Sequence, residues 1–498
     1  MRAVTTSHSR HTRWSAARRP VVGVALALAV VLTLAGCSAL SPTTPGHGTP
    51  PGRPAPRGAY VPATDRNADF LGESPLTSTE VHDIATDDGW YTLAKFSDHY
   101  DLRQQFADAS TLMTAAKAAG NPDLHVGMYY NAMFWLTANS AWGSYAEGFD
   151  PSWLLHDATG STVAYHGQGS SGSAEQSLGD VVDLQNPTYR AWAVQTVVDW
   201  MHQAPVRGIT LDSADLIVGT TVRSDVGTGT QTWNDLLCGA GAPVDTDGNC
   251  PVVAAWNQGL HDLLAQMSAA LTPLGDTVTF NGVAPSQLRT ADRNTELFAS
   301  ASHADNEGFC YAQSNPKAAA RESGKRTTAS GGTTGSADPK TKLNPLPADV
   351  AMMQQRAADG AGITEITNYE QSSREDLGAY CLGGFLLGWQ PGYDWFVYHR
   401  DYTDTLGGGY PELPEQDLDL GTPTGQAGAD GSLMTRTFTH GLVAVDTGDG
   451  SVTYTVPTAV TQFAGGREVH QYAAGSTVTL AAHGADFFLT DAFVATLG

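Results

Sequence analysis

The stretch Val206-Arg-Gly-Ile-Thr-Leu-Asp212 decides the fold, because it has the pattern of a buried β-strand that ends in a carboxylate. Burying a bare carboxylate is costly, so Asp212 must be used in chemistry or paired with another group. The run Leu124–Tyr130 is followed by an asparagine, and the run Thr277–Phe280 ends in Asn281. Polar residues at the C-terminal ends of strands are typical of the active site of a (β/α)8 barrel.

Helical patterns lie between these strands. Apolar residues recur at helical spacing from Phe106 to Ala116 and from Trp256 to Met267. The pair Asn186-Pro187 has the form of an N-cap followed by proline at the first helical position. Further strand-like segments are 89–96, a segment ending near Glu307, Gly362–Thr367, and Leu382–Trp389, which a helix would fit equally well.

Repeated β–α alternation of this kind favours an α/β protein with a parallel sheet covered by helices. No Gly-x-Gly-x-x-Gly follows a strand, so we predict a (β/α)8 TIM barrel rather than an open nucleotide-binding sheet. From about residue 403, short alternating runs such as Ser451–Val456 are separated by turn signals. This change predicts a small C-terminal antiparallel β-sandwich.

The composition limits the classes of partner. The chain has 498 residues, 41% of them hydrophobic, and carries 27 Lys+Arg against 51 Asp+Glu, for a formal charge of −24. So acidic a surface repels phosphate backbones, which excludes nucleic-acid binding as the main function. The 11 Trp and 17 Tyr suit a ligand with flat apolar faces, such as a sugar ring, although most of them are expected in the core.

The N-terminus has the form of a targeting signal. Arg13, Arg18 and Arg19 precede an apolar run from Val21 to Gly36 that is short for a membrane span. The run ends in Leu-Ala-Gly-Cys37, which resembles the lipobox of a bacterial lipoprotein, and this resemblance implies that Cys37 is acylated; an ordinary secretory signal is the alternative. A Pro/Gly/Ser-rich tether would then hold the protein on the extracellular face of the membrane.

The predicted organisation has four regions. These are a lipoprotein signal peptide over residues 1–36, the tether over 37–66, the barrel over 67–402 and the C-terminal β-domain over 403–498. The barrel and the β-domain are both large enough to bury a core of their own, which suits a chain of this length.

The cysteines agree with an oxidising compartment. Apart from Cys37 four remain, and an even number predicts two disulfides. Cys238 and Cys250 flank a short loop and are expected to pair, which leaves Cys310 and Cys381 for the second bond. No cysteine or histidine spacing indicates zinc, and the segment 245–249 has the pattern of a turn more than of a calcium loop, so no metal is expected.

Two further motifs precede the strand that ends at Asp212. They are Trp153-Leu-Leu-His-Asp157-x-x-Gly160 and Val182-Asp-Leu-Gln-Asn-Pro187. In this order they resemble the barrel glycoside hydrolases of the α-amylase/α-galactosidase type and the hypothetical glycoside hydrolase families related to them. The resemblance covers roughly residues 70–498. It implies that Asp212 ends the fourth barrel strand and is the nucleophile, or the base.

Glycoside cleavage needs a second carboxyl group. We select Glu307 as the general acid, because it lies near the end of a later predicted strand and is followed by glycine. Asp305 is an alternative, since two residues apart on an extended segment share a face. Glu365 and Glu370 are third choices. The α-amylase pattern has its acid on the fifth strand, whereas the fifth strand here ends in Asn281.

Other polar and aromatic side chains are candidates for sugar contacts. They are Tyr129, Tyr130, Asn131, Trp135, Asn281, Asp305 and Trp389. His303 and His399 are isolated histidines that we expect to be structural. The small, polar and locally basic segment 321–345 is long for a loop, and we interpret it as a flap over the cleft.

These observations predict an extracellular glycoside hydrolase that cleaves O-glycosidic bonds of a polysaccharide or oligosaccharide without a cofactor. Two alternatives stay open. A non-catalytic glycan-binding lipoprotein would fit the asparagine at the fifth strand end, and an importer's solute-binding lipoprotein would fit the signal and the tether. Release of reducing sugar separates the first alternative from an enzyme, and tight binding of a free solute without turnover would favour the second.

Overall fold

A computed structural model describes most of the chain beyond the tether. The described residues are 68–70, 75–93, 101–135, 148–166, 179–222, 226–227, 229–283, 293–306, 309–310, 346–367, 375–398, 413–465 and 467–497. The predicted signal peptide, Cys37 and the tether lie outside them, as do Glu307, Glu370, His399 and the segment 321–345. No helix in the described ranges is long and apolar enough to span a membrane.

Eight parallel strands form the central sheet. In spatial order they are β1 (Ala68–Phe70), β2 (Trp90–Leu93), β3 (His125–Asn131), β7 (Gly208–Asp212), β8 (Thr277–Asn281), β9 (His303–Asn306), β10 (Gly362–Thr367) and β11 (Trp395–Tyr398). Each strand pairs in parallel with the next, and β1 lies beside β11, so the sheet curls into a nearly closed barrel. The predicted (β/α)8 TIM barrel is confirmed.

Helices follow most of the barrel strands. They are α1 (Ser78–Asp87), α2 (Leu102–Ala119), α3 (Pro187–Gln203), α4 (Trp233–Cys238), α5 (Pro251–Leu271), α6 (Leu346–Ala358), α7 (Glu375–Gly388) and, at the C-terminus, α8 (Asp491–Leu497). Helix α3 begins as predicted, because the Asn186 side chain accepts hydrogen bonds from the amides of Thr188 and Tyr189. Helix α2 ends at Gly120, whose left-handed backbone (φ 88°) favours glycine.

The sequence left one segment open between strand and helix, and it missed two barrel strands. The run Leu382–Trp389 belongs to helix α7 and its end, and the eighth strand is Trp395–Tyr398. A continuous apolar run cannot distinguish a buried strand from a helix that is buried on several sides. The short first strand, Ala68–Phe70, gave no signal, because a three-residue run has no detectable period.

An antiparallel excursion interrupts the barrel between β3 and α3. Its three strands are β4 (Phe134–Trp135), β5 (Ala164–Tyr165) and β6 (Gly179–Val181), arranged in the order β4–β6–β5. It starts at the C-terminal end of the third barrel strand, which is the end at which TIM barrels place their active sites.

The C-terminal region is antiparallel, as predicted. A six-stranded sheet has the order β12 (Gly428–Asp430), β13 (Leu433–Thr437), β14 (Gly441–Asp446), β19 (Ala485–Thr490), β16 (Val460–Ala464) and β17 (Arg467–Tyr472). A second sheet contains β15 (Val452–Thr455) and β18 (Thr477–Leu480). Apolar side chains from both sheets, among them Leu442, Val478 and Phe488, form a shared core. The two sheets therefore pack as a small sandwich.

Helix α7 joins the barrel to the six-stranded sheet. Arg436 of β13 is buried, and its Nη1 donates to the carbonyl oxygens of Leu386 (3.0 Å) and Trp389 (2.6 Å) at the end of α7. Burial lowers the pKa of Arg436 to about 10, and the nearby Asp394 carboxylate opposes this shift. The bonds satisfy carbonyls that a helix end leaves without intrahelical partners.

Both predicted disulfides are present. Cys238 is bonded to Cys250 and Cys310 to Cys381, with Cα–Cα distances of 6.5 Å and 5.6 Å. The second bond links the segment after β9 to helix α7. The parallel sheet ends at Tyr398, the antiparallel strands begin at Gly428, and part of the chain between them lies outside the described residues. The exact limits of the four predicted regions therefore stay predictions.

Candidate active site

Aromatic and histidine rings identify the lumen side of the barrel. Trp90 stacks on His125 at 3.7 Å between ring centroids and also contacts Trp395 (4.7 Å) and His303 (5.5 Å). These four residues begin strands β2, β3, β9 and β11, which are not all adjacent, so their side chains meet across the interior. The expectation of a structural role for His303 agrees with this position at the N-terminal end of the barrel.

Side chains alternate between the two faces of a strand, so every second residue after these rings also points into the lumen, up to the C-terminal end of the strand. Counting in steps of two from His125 and His303 puts Tyr129 and Asp305 on the lumen side. Thr210 is 3.5 Å from Thr92 of a non-adjacent strand, so Asp212, two residues later, also faces inward. The C-terminal end of the lumen thus gathers two carboxyl groups from strands β7 and β9.

Asp212 accepts three hydrogen bonds. Its Oδ2 accepts from the Tyr129 hydroxyl (2.5 Å), and its Oδ1 accepts from the Asn281 amide group (3.1 Å) and from the backbone N–H of Ser213 (2.7 Å). Ser213 has the left-handed conformation that a non-glycine residue rarely adopts, with φ 54°. An ionised carboxylate is an acceptor only, and these three donors match it. Asp212 is half-buried, so the group is fixed but within reach of solvent.

Tyr129 is itself held by Asn131. The Asn131 Nδ2 donates to the Tyr129 hydroxyl oxygen (3.1 Å), while its Oδ1 accepts from the backbone amides of Met133 and Phe134 (3.1 and 2.7 Å). Asn131 therefore forms the turn that leaves β3 and also orients the hydroxyl that binds Asp212. Both residues were predicted to contact sugar, and the structure shows them positioning the carboxylate; direct sugar contact stays a prediction.

The fifth barrel strand ends in an amide, as predicted. Asn281 faces the lumen between Asp212 and Asp305, since it donates to Asp212 and pairs in register with Asp305 of the next strand. The strand therefore supplies a donor to the neighbouring carboxylate in place of a carboxyl group of its own.

The sequence predicts four candidates for a general acid. Asp305 is 1% exposed and faces the lumen beside Asn281. Glu307, the selected acid, follows two residues later and lies outside the described residues, so its role stays a prediction. Glu370 also lies outside them. Glu365 is described and points away from the lumen, where it accepts a hydrogen bond from Asn306 of the neighbouring strand β9, so the structure places it outside the lumen.

Two of the predicted sugar contacts are placed outside the lumen, and the position of a third decides nothing. Tyr130 faces the helices, and its hydroxyl is 2.9 Å from that of Tyr189 in α3, because adjacent residues of a strand point to opposite sides. Trp389 is 1% exposed and stacks on Phe438 of the C-terminal region. Both side chains are therefore buried outside the lumen, and sugar contact by either stays a prediction that this placement does not support. Trp135 is 9% exposed and stacks on a ring of the excursion, Phe149, so its position neither supports nor removes a sugar contact.

The two sequence motifs before Asp212 form turns. The Oδ1 of Asp157 accepts from the backbone amides of Thr159 and Ser161 in an exposed turn of the excursion. Asp183 accepts from the amide of Gln185 just before helix α3, and its partial burial raises its pKa. Neither carboxylate lies on a barrel strand: the first motif forms an exposed turn of the excursion, and the second leads into α3.

Asn294 is a positioning residue that the sequence did not reveal. Its Oδ1 accepts from the amide of Leu216 (2.9 Å), and its Nδ2 donates to Asp215 (2.9 Å) and to the carbonyl of Gly282 (2.7 Å). One side chain thus ties the loop after Asp212 to the loop after Asn281. Gly282 has φ 130°, and a Cβ there would lie 2.2 Å from an Asp215 oxygen. The contacts with Leu216 and Asp215 span 78 and 79 positions, so no local pattern could have indicated them.

No group of three or more potential metal ligands occurs among the described residues. The segment 245–249 is a turn, in which the Asp245 Oδ1 accepts from the backbone amides of Asp247 and Asn249. This agrees with the interpretation made from its sequence.

Solved structures similar to this chain include several enzymes of sugar metabolism. A noncanonic maltogenic α-amylase from Thermotoga neapolitana is 10% identical, with 86% of this chain and 98% of that chain covered and a TM-score of 0.44. An α-amylase from Malbranchea cinnamomea is 9% identical, with 87% and 98% covered and a TM-score of 0.44. Trehalose-6-phosphate hydrolase from Bacillus licheniformis is 9% identical, with 86% and 100% covered and a TM-score of 0.44. No curated protein matches the chain significantly.

The family comparison covers most of the barrel and enters the C-terminal sheet. The sequence profile of hypothetical glycosyl hydrolase family 15 matches residues 118–442, which is more than half of the chain and includes Asp212, Asn281 and Asp305. The expected resemblance to barrel glycoside hydrolases agrees with this match. The chain is a glycoside hydrolase and belongs to hypothetical glycosyl hydrolase family 15.

Proposed function

We propose that this glycoside hydrolase cleaves O-glycosidic bonds with a pair of carboxyl groups, of which Asp212 is the nucleophile or base. The observation that carries the proposal is the position of Asp212. It ends the fourth barrel strand, faces the lumen, is half-buried, and accepts hydrogen bonds from Tyr129, Asn281 and its own following amide. These donors fix the orientation of the carboxylate, which the attack on an anomeric carbon or on a water molecule requires.

Glu307 is the proposed general acid. It would give its proton to the glycosidic oxygen as the bond to the anomeric carbon breaks. In a retaining enzyme Asp212 forms a covalent glycosyl ester, which water then cleaves while Glu307 takes the proton back. In an inverting enzyme Asp212 removes a proton from the attacking water. Carboxyl groups roughly 5–5.5 Å apart fit the first course and roughly 6.5–9.5 Å the second.

Asp305 is the alternative candidate for the general acid. It lies on the lumen side two residues before Glu307 and next to Asn281 in the sheet. If Glu307 is not the acid, Asp305 is the described carboxyl group best placed to take that role, because it shares the lumen with Asp212.

The proposed setting is outside the cytoplasm. The lipobox-like sequence before Cys37, the tether and the two disulfides support a lipid-anchored enzyme on the cell surface. Its proposed substrate is a polysaccharide or oligosaccharide, and the strongly acidic composition argues against a polyanionic glycan. Radiolabelled fatty acid on the wild type but not on Cys37→Ser would test the anchor.

The test of the chemistry uses three matched variants. Asp212→Asn and Glu307→Gln keep the shape of each side chain and remove its charge, and Asp123→Asn changes an exposed acid as a control. Release of reducing sugar from a panel of neutral glycans should fall by about a thousandfold or more for Asp212→Asn and stay unchanged for the control. Near wild-type hydrolysis by Asp212→Asn would overturn the mechanism.

Glu307→Gln separates the candidates for the acid. A large loss that is smaller for glycosides with a good leaving group identifies Glu307 as the proton donor, because such groups need no protonation. If this variant retains activity and Asp305→Asn loses it, the acid is Asp305. Binding of a glycan by the wild type without any hydrolysis would favour a glycan-binding protein instead.

A further inference from the structure

Behind the sixth and seventh strands, two buried carboxyl groups share one amide. The Asn306 Nδ2 donates to Glu365 Oε2 (2.7 Å) and to Asp349 Oδ1 (3.4 Å). All three side chains are fully buried. They come from β9, β10 and helix α6, so this network lies between the sheet and its helices and outside the lumen.

The network carries too many acids for all of them to be charged. Burial raises the pKa of Glu365 well above its usual range, Asp349 and Asp394 raise it further, and Asp305 adds to the effect, while the Asn306 hydrogen bond opposes it. Tyr380 of α7 also lies near Asp349, and Arg436 faces Asp394 rather than Glu365. Among the described residues, the other carboxyl oxygen of Glu365, Oε1, has no hydrogen-bond partner. A neutral carboxyl group suits this environment, whereas a carboxylate would lack compensation.

The position of Asn306 connects this network to the lumen. Asn306 is paired with Glu365 in the sheet and follows Asp305, which faces the lumen on the opposite side of the same strand. Glu307 comes next in the sequence. An ionised Glu365 would lie beside the Asp349 carboxylate, and the repulsion between the two charges would push apart the strand and the helix that carry them. Because Asn306 bonds to both groups, such a movement would disturb the end of the strand that carries Asp305 and precedes Glu307.

We propose that Glu365 is a proton-bearing positioning residue: in its neutral form it lies beside Asp349 without repelling it, so that Asn306 bonds to both groups and fixes the C-terminal end of the sixth strand. The catalytic part of this role rests on the proposed function. Loss of the proton at alkaline pH places two buried carboxylates side by side, and their repulsion loosens the strand end.

The first test measures stability against pH. The unfolded chain releases the Glu365 proton near the usual glutamate range and the folded chain only at higher pH, so stability falls as pH rises between these limits. Urea unfolding of the full-length proteins gives the unfolding equilibrium constant at each pH. Over this pH range, the ratio of the wild-type constant to that of Glu365→Gln should rise by up to about tenfold per pH unit. Asp349→Asn should reduce this gain, and the exposed-site control Glu468→Gln should follow the wild type. Parallel curves for wild type and Glu365→Gln would overturn the proposal.

The second test observes the strand itself. Amide hydrogen exchange of a peptide containing residues 303–306 should be equal in wild type and Glu365→Gln at pH 5 and faster in the wild type at pH 9. Equal exchange at both pH values would contradict the positioning role. This comparison needs no substrate, and comparing the two proteins at one pH removes the intrinsic pH dependence of exchange.

The third test adds catalysis. On a glycan that the wild type hydrolyses, Glu365→Gln should extend the alkaline limb of the kcat profile to higher pH with little change in KM. An alkaline limb that does not move would refute the link to the active site. If the wild type hydrolyses no glycan in the panel, the proposed function fails, while the unfolding and exchange measurements still decide the role of Glu365.

Discussion

Asp212 and Glu365 both belong to strands of the same barrel sheet, yet their surroundings are opposite. Asp212 faces the lumen, is half-buried and accepts three hydrogen bonds from protein donors. Glu365 faces the helices, is fully buried and accepts one hydrogen bond, from Asn306, with other carboxyl groups nearby. The first environment supports a charged group that is fixed in direction, and the second supports a neutral one.

This contrast separates the proposed catalytic carboxylate from the proposed structural carboxyl group. Both lie inside the fold, but Asp212 has more donors and is partly open to solvent, whereas Glu365 is fully buried. Donors stabilise a charge, and an opening lets substrate approach. The two faces of the sheet thus impose different chemistry on residues that look alike in the sequence.

Tyr129→Phe should have the largest effect among the changes that leave both carboxyl groups in place. It removes the hydroxyl that donates to Asp212 at 2.5 Å but keeps the ring. A hydrogen bond to a charged group contributes about 1.5–3 kcal/mol, so kcat/KM should fall about 10- to 150-fold. The fall is measured on the same glycan as for the wild type. A loss below twofold would show that the hydroxyl does not orient the carboxylate.

Asn281→Ala tests the second donor in the lumen. Its amide lies 3.1 Å from Asp212 Oδ1, a longer distance than that of the tyrosine hydroxyl, so we expect a loss in kcat/KM of about tenfold. Asn281→Asp is the informative partner variant. It would place a second carboxyl group beside Asp212, and the two groups should share a proton, which moves the acid limb of the activity profile to higher pH. An acid limb that stays in place would contradict the contact.

Asn294→Ala tests whether the loops behind the lumen matter for catalysis. The change removes one acceptor and leaves Asp215 and the Gly282 carbonyl without this donor. Groups left unsatisfied in this way cost about 1–3 kcal/mol, so chemical unfolding should show a destabilisation of that order. We expect a severalfold decrease in kcat with little change in KM. Unchanged kcat together with lower stability would restrict Asn294 to folding.

Much of the barrel could be predicted from the sequence, because its signals are local. The run that ends at Asp212, the amide at Asn281 and the N-cap at Asn186 each depend on neighbouring residues, and all three lie where the pattern put them. The disulfide partners followed from the small number of cysteines.

The remaining features depend on contacts between distant segments. For Leu382–Trp389 the sequence left strand and helix open, because an apolar run does not reveal that the C-terminal sheet buries the other side of helix α7. Asn294 and Glu365 have partners from other strands and loops, and only the folded chain brings them together. Tyr129 and Tyr130 are neighbours, and one residue of strand register decides which of them reaches the lumen.

Tyr130→Phe is therefore the matched control for Tyr129→Phe and should have the smallest effect. The Tyr130 hydroxyl lies 2.9 Å from that of Tyr189 in helix α3, in a buried pair outside the lumen. Removing it costs one neutral hydrogen bond, about 1 kcal/mol of unfolding free energy, and leaves Asp212 untouched. Urea unfolding should detect this small loss, and kcat/KM should equal that of the wild type. A loss of activity as large as that of Tyr129→Phe would mean that the two faces of the strand are not functionally distinct.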